Sequence, residues 1–420
     1  MFWRHSTKEI RFTDFSITPG SIEFRARRIR DGQDHTDDLY FHFSSPVVPR
    51  HDLIALALST FCGRSFDKIT FELVLSGQTI TDIAAFTQAT IKTSGTDDGK
   101  AAVPEKTNLA LSFSGGFDSL AAYSIMPEET KLVSIDFGHW FQRETDFFQN
   151  FETNIVSTNF RRLNYDRDSW TFMGVAAILL SDYLQIAYNT FGTNLESSGI
   201  QRLAAVEPPG QRVDVAASTT NVTPMSLAGI GDASAIIHGI TAVGTAMIVN
   251  HFHPELIDSS LMSLASPGSE KLYRKGIIMD IVRERFGSSG KQGPLSPGVD
   301  QKVTFDSDVY IDIAYLYILK HRGIEAVDVG VEDYPREGIE IAQSLSLRWF
   351  EHVNPVFAAS IPEVFKPRCM DRMAQAGLIP YTAEDWQEFM IVRDFLARHN
   401  AKMSDALARA QLASPGIPNT

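Results

Sequence analysis

Cysteine is nearly missing from this chain. Cys62 and Cys369 are the only two in 420 residues. Thiols so few and so far apart exclude a disulfide framework and point to a reducing cytoplasm. No long apolar run occurs either. The longest, Ala235 to Val249, is interrupted by His238 and falls short of the roughly 20 residues that span a bilayer. It reads as a buried helix. The opening Met1-Phe2-Trp3-Arg4-His5 leads into no apolar stretch, so no signal peptide and no membrane role are expected. Positive charge is in deficit, with 38 Lys and Arg against 51 Asp and Glu and a net charge of −13. That argues against nucleic acid as a partner, since such binding needs a basic face. There is no Walker sequence of the form Gly-x-x-x-x-Gly-Lys-Ser/Thr, and no internal repeat.

What is present describes a multi-domain α/β protein. Hydrophobic residues make up 44% and charged residues 21% of the chain, ordinary for a soluble globular protein. The length suits two or three domains. Residues 1–91 read as a separate α+β domain. Ile22, Phe24 and Ala26 alternate there with Glu23, Arg25 and Arg27, the period of a half-buried strand. Leu39 to Phe43 and Ile69 to Leu75 read as further strands, and Asp52 to Phe61 as a helix. Residues 92–108 are polar around Ser94-Gly95-Thr96-Asp97-Asp98-Gly99-Lys100 and read as a linker.

From residue 109 the pattern changes to short apolar strands alternating with helices. Strands are expected at Leu109–Phe113, Lys131–Asp136, Ile155–Asn159 and Ile186–Phe191. Helices are expected at Ser119–Met126, stopped by Pro127, at Arg143 to about Phe151, and at Trp170–Leu184, capped by Asp168 or Ser169. Phe147, Phe148 and Phe151 read as core packing. This order predicts a mostly parallel sheet over 109–300, with ligands beyond the carboxyl ends of its strands. Residues 301–420 read as a helical C-terminal region. Asp308 to His321 forms one helix closed by Gly323, and Thr382-Ala383-Glu384-Asp385 opens another as a capping box. Asp306 and Asp308 fit a helix start. Loops are expected at Glu207-Pro208-Pro209-Gly210 and from Gly287 to Pro297.

The segment that carries the chemistry follows the strand at Leu109–Phe113. It reads Ser114-Gly115-Gly116-Phe117-Asp118-Ser119. Paired glycines let the backbone turn sharply and bring N–H groups near a ligand. The following helix adds its positive N-terminal end. The hydroxyls of Ser114 and Ser119 can donate to phosphate oxygens, and Asp118 supplies a carboxylate for Mg²⁺.

This string resembles the Ser-Gly-Gly-x-Asp-Ser motif of the PP-loop, or N-type, ATP-pyrophosphatases, which include GMP, NAD and asparagine synthetases, tRNA thiolases and cyano-deazaguanine synthases. The resemblance implies a Rossmann-like fold of the adenine nucleotide alpha-hydrolase type. It also implies cleavage of ATP between the α- and β-phosphates, with ATP and Mg²⁺ as cofactors. Ser134-Ile135-Asp136-Phe137-Gly138 is similar to the turn that borders the adenosine in the deazaguanine synthases, which makes Asp136 and Phe137 nucleotide-site candidates. Asp136 reads equally as a plain turn residue. Phe191-Gly192-Thr193-Asn194 is similar to the family's turn near the adenylate, with Gly192 and Thr193 as candidates; an ordinary turn is the alternative. Ser266-Pro267-Gly268-Ser269-Glu270-Lys271-Leu272-Tyr273-Arg274-Lys275 is similar to the segment whose Lys binds phosphate. Lys275 is the better match and Lys271 the rival, and a solvated Lys is the plain reading of either.

Cyano-deazaguanine synthases end in a four-Cys zinc site. Pro367 to Leu378 resembles that ending but keeps only Cys369, so no structural zinc is expected. Proteins of this divergent kind also occur in bacterial antiviral operons. His251-Phe252-His253-Pro254-Glu255 reads as a helix end or polar loop before a metal site. Two functions follow as expectations. One is an adenylating ligase in which Asp118, Ser114 and Lys275 are catalytic. A carboxylate or amide oxygen of a small-molecule or protein acceptor is adenylated with release of pyrophosphate, then captured by an amine, ammonia or a sulfur nucleophile. The other is a non-catalytic nucleotide-binding module of regulation or antiviral defence. A homodimer is one arrangement open to either. Phe2 rules out the asparagine-synthetase type of glutaminase, which needs Cys there.

Overall fold

The computed structural model describes residues 8–30, 32–97, 99, 104–208, 223–287 and 298–413. The chain divides into two compact units. The first takes Met1–Ser114, Glu129–Phe191 and Asn221–Asp232; the second takes Gly115–Glu128, Gly192–Thr220 and Ala233–Thr420.

The first unit is built on a ten-stranded sheet. Its strands are β1 (Glu9–Thr18), β2 (Ser21–Arg30), β3 (Gln33–Phe43), β4 (Lys68–Leu75), β5 (Thr90–Thr96), β6 (Asn108–Ser112), β7 (Lys131–Asp136), β8 (Thr153–Thr158), β9 (Ile186–Phe191) and β10 (Gly231–Asp232). They lie in the order β10-β9-β6-β7-β8-β3-β2-β1-β4-β5. The five strands from β10 to β8 are parallel. So are β1, β4 and β5, while β3 and β2 join the two sets through antiparallel pairings. The sheet is thus mostly parallel and the fold is α/β, of Rossmann-like pattern. From β6 the chain adds β7 and β8 on one side, then returns to add β9 and β10 on the other. The order therefore reverses between β6 and β9, the place where open α/β sheets bind ligands.

Local sequence explains the elements. In β2, Ile22, Phe24 and Ala26 are buried and Glu23, Arg25 and Arg27 exposed, as the alternation requires. Helix α1 (His51–Ser59) is buried from Leu53 onward and packs on β4, as an all-apolar helix must. Helix α2 (Gly77–Thr87) starts where Ser76 accepts a hydrogen bond from the Thr79 N–H, and ends at Gln88 in the left-handed region. The helix expected over 170–184 is broken. Ser169 caps a 3-10 turn, Trp170–Gly174, and only Val175–Leu180 is α-helical. Asp168 is engaged instead by Arg30 at 2.6 Å.

The segments expected as a 1–91 domain, a 92–108 linker and a 109–300 domain share one sheet. β5 occupies the start of the linker segment, and both its flanks belong to the first unit. The reason is edge pairing: β3 bonds to β8 with Phe41 opposite Thr158, so the N-terminal strands extend the sheet and bury the β8 edge. Part of the expected linker, 98 and 100–103, lies outside the described residues.

The second unit is mainly helical, as expected for 301–420, with one short ladder joining Val303–Thr304 to Val331–Glu332. It begins with α3 (Phe117–Ile125). Met126 is extended (φ −79°, ψ 166°), as the residue before Pro127 must be. The expected helix from Ala235 to Val249 is two: Ala235–His238 and Ala242–Phe252. Thr241 caps the second by accepting from the Gly244 N–H, and an added Cβ at Gly239 would lie 2.9 Å from the Asn354 carbonyl. Asp308 caps Val309–Arg322, which ends at Gly323. Thr382 and Asp385 form the expected capping box of Ala383–His399. The loops expected at 207–210 and 287–297 lie largely outside the described residues. No helix among the described residues is long and apolar enough to cross a membrane.

Candidate functional site

The Ser-Gly-Gly-Phe-Asp-Ser segment occupies the place expected of it, between β6 and α3. Gly115 has φ +79°, a backbone conformation that side chains disfavour. Its carbonyl accepts from Ser260 Oγ at 2.7 Å. Gly116 is the N-cap of α3 and, having no side chain, makes no side-chain cap bond itself. The first N–H groups of α3 are the kind of donors that anions seek. Phe117 is fully buried and anchors the helix, so only its backbone can serve a ligand. Ser119 Oγ donates to the Gly116 carbonyl at 2.9 Å. This bond steadies the turn and uses the proton that sequence reasoning assigned to a phosphate. Ser114, by contrast, is exposed.

Asp118 and Lys275 meet. Lys275 Nζ lies 3.0 Å from each Asp118 carboxylate oxygen. Lys275 sits on the second turn of Glu270–Phe286, a helix capped by Ser269, and its ammonium is buried. The rival, Lys271, is exposed. Two neutral donors complete the environment of Asp118 Oδ1: Asn194 Nδ2 at 3.2 Å and Thr245 Oγ1 at 2.8 Å. A buried ammonium needs such a partner, because removing one member of a buried pair leaves an uncompensated charge.

The loop after β9 reaches the same place. A Cβ added to Gly192 would lie 2.5 Å from the Ser119 nitrogen and 2.9 Å from the Asp118 carbonyl carbon. Only glycine lets this loop close on the first turn of α3. Next along, Thr193 Oγ1 is 2.8 Å from His238 Nε2. His238 Nδ1 faces Arg202 Nη1 at 3.1 Å. The same Arg202 nitrogen also lies 3.4 Å from His238 Nε2. His238 is buried.

Asp136 and Phe137 lie in the first unit and serve their own turn. Asp136 Oδ1 accepts from the Gly138 N–H and from Thr145 Oγ1, both at 2.8 Å, and Oδ2 accepts from Ser157 Oγ at 3.2 Å. These contacts hold the turn after β7. Phe137 is buried against Phe141, Phe160 and Phe172.

The remaining candidates are also placed. His251 and His253 end the Ala242–Phe252 helix; His253 stacks on Tyr123 and pairs with Glu255 at 3.5 Å. Both thiols are buried. Burial pushes Cys369 up to about 12 and Cys62 higher still, which keeps both protonated and poorly nucleophilic. Among the described residues, no three His, Cys, Asp or Glu side chains converge to hold a metal. Asp118 alone offers a carboxylate at the loop. It fits a Mg²⁺ arriving with a polyphosphate, because Lys275 then has phosphate oxygens to turn to. A metal held by protein ligands alone does not fit there.

Sequence reasoning missed Thr245 and the role of Asn194. Asn194 stood in the quoted turn and carried the hint of an amide beside a Gly-Thr pair. Thr245 sits inside an apolar helix and gave no local signal. No family model matches the chain, and no curated protein or solved structure matches it significantly.

Proposed function

We propose that this protein binds ATP by its phosphates at Ser114 to Ser119 and transfers AMP to an acceptor oxygen, releasing pyrophosphate. One observation carries the reading: Asp118 of the Ser-Gly-Gly-Phe-Asp-Ser loop is bonded to Lys275, the lysine singled out for phosphate. The loop's place in the chain, directly after β6, one of the two strands between which the order reverses, supports it. So does the glycine contact between the β9 loop and α3.

In this reading the first turn of α3 and the left-handed Gly115 offer N–H groups to the β- and γ-phosphates. Lys275 exchanges Asp118 for phosphate oxygens and stabilises the charge that grows on the leaving pyrophosphate. Asp118, released, would share in holding Mg²⁺, which would supply Lewis-acid stabilisation when bound. Asn194 and Thr245 keep the carboxylate aimed. An oxygen of the acceptor carboxylate or amide attacks the α-phosphorus as the α,β-bridging oxygen departs. Capture of the adenylate falls to an amine, ammonia or sulfur nucleophile from outside the chain, since both thiols are buried and protonated.

The second reading is a nucleotide-binding module of regulation or defence that does not turn over. It is favoured by the closure of Asp118: every oxygen already accepts from Lys275, and Oδ1 from two further donors. The deciding experiment is incubation with ATP, Mg²⁺ and panels of carboxylates and amines. AMP and pyrophosphate in equal amounts support transfer. Nucleotide binding with no products supports the module. ADP and phosphate overturn both.

A further inference from the structure

We propose that Glu196 is a positioning residue that fastens Asn194 and Thr245 onto Asp118. The inference rests on the reading of Asp118 as the nucleotide-site carboxylate. Asp118 Oδ1 draws its neutral donors from two segments distant in sequence, the loop after β9 and the helix Ala242–Phe252. Glu196 lies two residues beyond Asn194. Both its carboxyl oxygens stand 3.0 Å from the Ala242 N–H, which donates to them, three residues before Thr245. The Leu195 N–H adds a second tie by donating to the Ile240 carbonyl at 2.7 Å. The path is closed: Asp118 to Asn194, along the loop to Glu196, across to Ala242, along one helical turn to Thr245, and back to Asp118.

Helix capping alone does not explain this carboxyl. Thr241 already caps the helix, its hydroxyl accepting from the Gly244 N–H at 3.1 Å. Glu196 is buried, and a buried carboxyl is costly. Lys275, Asp118 and Tyr381 are the titratable groups whose charge reaches it. Burial raises Glu196 to about 7, so its neutral form is populated near neutrality. The tie to Ala242 needs an acceptor oxygen and no charge. Glutamine at this position should therefore preserve it, and alanine should not.

Two readouts separate this role from general stability. The first is labelling of lysines by acetic anhydride in the nucleotide-free chain, read by mass spectrometry, with the half-buried Lys106 as internal control. Glu196→Ala and Thr245→Val are expected to speed labelling of Lys275 several-fold and leave Lys106 unchanged, while Glu196→Gln stays at the wild-type rate. The second is Mg-ATP affinity by calorimetry. Glu196→Ala should weaken it roughly tenfold, the low end for loss of an outer-shell partner, and Glu196→Gln should rescue it. Should Glu196→Ala not fold, Glu196→Met, of similar size and without an acceptor, replaces it. Lys275 labelling at the wild-type rate in a folded Ala or Met variant overturns the proposal, as does a Gln variant that behaves like Ala. Absence of Mg-ATP binding by the wild-type chain would overturn the proposed function instead, and the labelling would still decide the role of Glu196.

Discussion

Lys275 grips both carboxylate oxygens of Asp118 at 3.0 Å, across 157 residues of sequence. The pair is shielded on the lysine side and partly open on the aspartate side, with side-chain exposures of 6% and 24%. A ligand can thus reach the carboxylate without first unburying the ammonium.

Asp118→Asn should abolish most Mg²⁺-dependent nucleotide binding or AMP release and also destabilise the fold. Leaving a buried ammonium without its partner costs about 3–5 kcal/mol. Adding Lys275→Met should recover much of the lost melting temperature and none of the nucleotide binding. Thermal melts and calorimetry on the three variants check this. Wild-type AMP release by Asp118→Asn would remove Asp118 from the site.

Gly192→Ala tests the contact between the β9 loop and α3. The new Cβ would sit 2.5 Å from a backbone nitrogen, so something must shift. Overpacking of this kind costs about 1–3 kcal/mol. Nucleotide affinity should fall with it, because the displaced atoms belong to Asp118 and Ser119. Unchanged melting and affinity together would show that the close approach is not needed.

The pH dependence of stability should carry the mark of Asp312. Burial raises its carboxyl to about 7 from an ordinary 3.8, and Oδ2 has no hydrogen-bond partner among the described residues. The folded state therefore holds a proton that the unfolded state gives up. Its stabilising contribution is full below about pH 4 and is lost as pH rises through about 7. Asp312→Asn keeps an acceptor for the Asp306 N–H and removes the titration. Melting curves from pH 5 to 8 should show the variant gaining on the wild type as pH rises; parallel curves would contradict this.

Elemental analysis of untagged protein should find zinc well below one atom per chain. Cys369 is fully buried on the inner face of Lys366–Gln375, flanked in sequence by Arg368 and Met370, and its thiol is held protonated. A stoichiometric zinc released only on unfolding would overturn this.

Local pattern made the strands of the parallel set legible. Lys131–Asp136 and Ile186–Phe191 are found at the bounds expected, because each is a short apolar run with clear punctuation on both sides. The phosphate-loop segment was legible for the same reason, and Lys275 through its neighbourhood. Pairings between distant segments were not. Nothing near Phe41 announces Thr158 as its partner, and nothing near Thr245 announces Asp118. The break after Gly174 escaped notice because an apolar run from Trp170 to Leu180 reads as one helix whether or not its first turn is tightened. Asp136 reads as a ligand contact or as a turn residue because a carboxylate at a strand end suits either task, and only the structure shows the three hydrogen bonds by which it holds its own turn.

The pairing of β3 with β8 bears on how this protein can be cut. A fragment starting near residue 104 would retain the phosphate-loop segment and the five parallel strands from β10 to β8, yet it would bare one flank of β8. Unsatisfied N–H and C=O groups along a bared flank recruit strands from neighbouring molecules. Such a fragment should clump on expression, and a preparation of it lacking activity would report on its solubility and leave the chemistry of Asp118 unjudged. The first hundred residues are best regarded as the sheet's selvedge, woven in with the cloth, and not as a module to be trimmed away or exchanged.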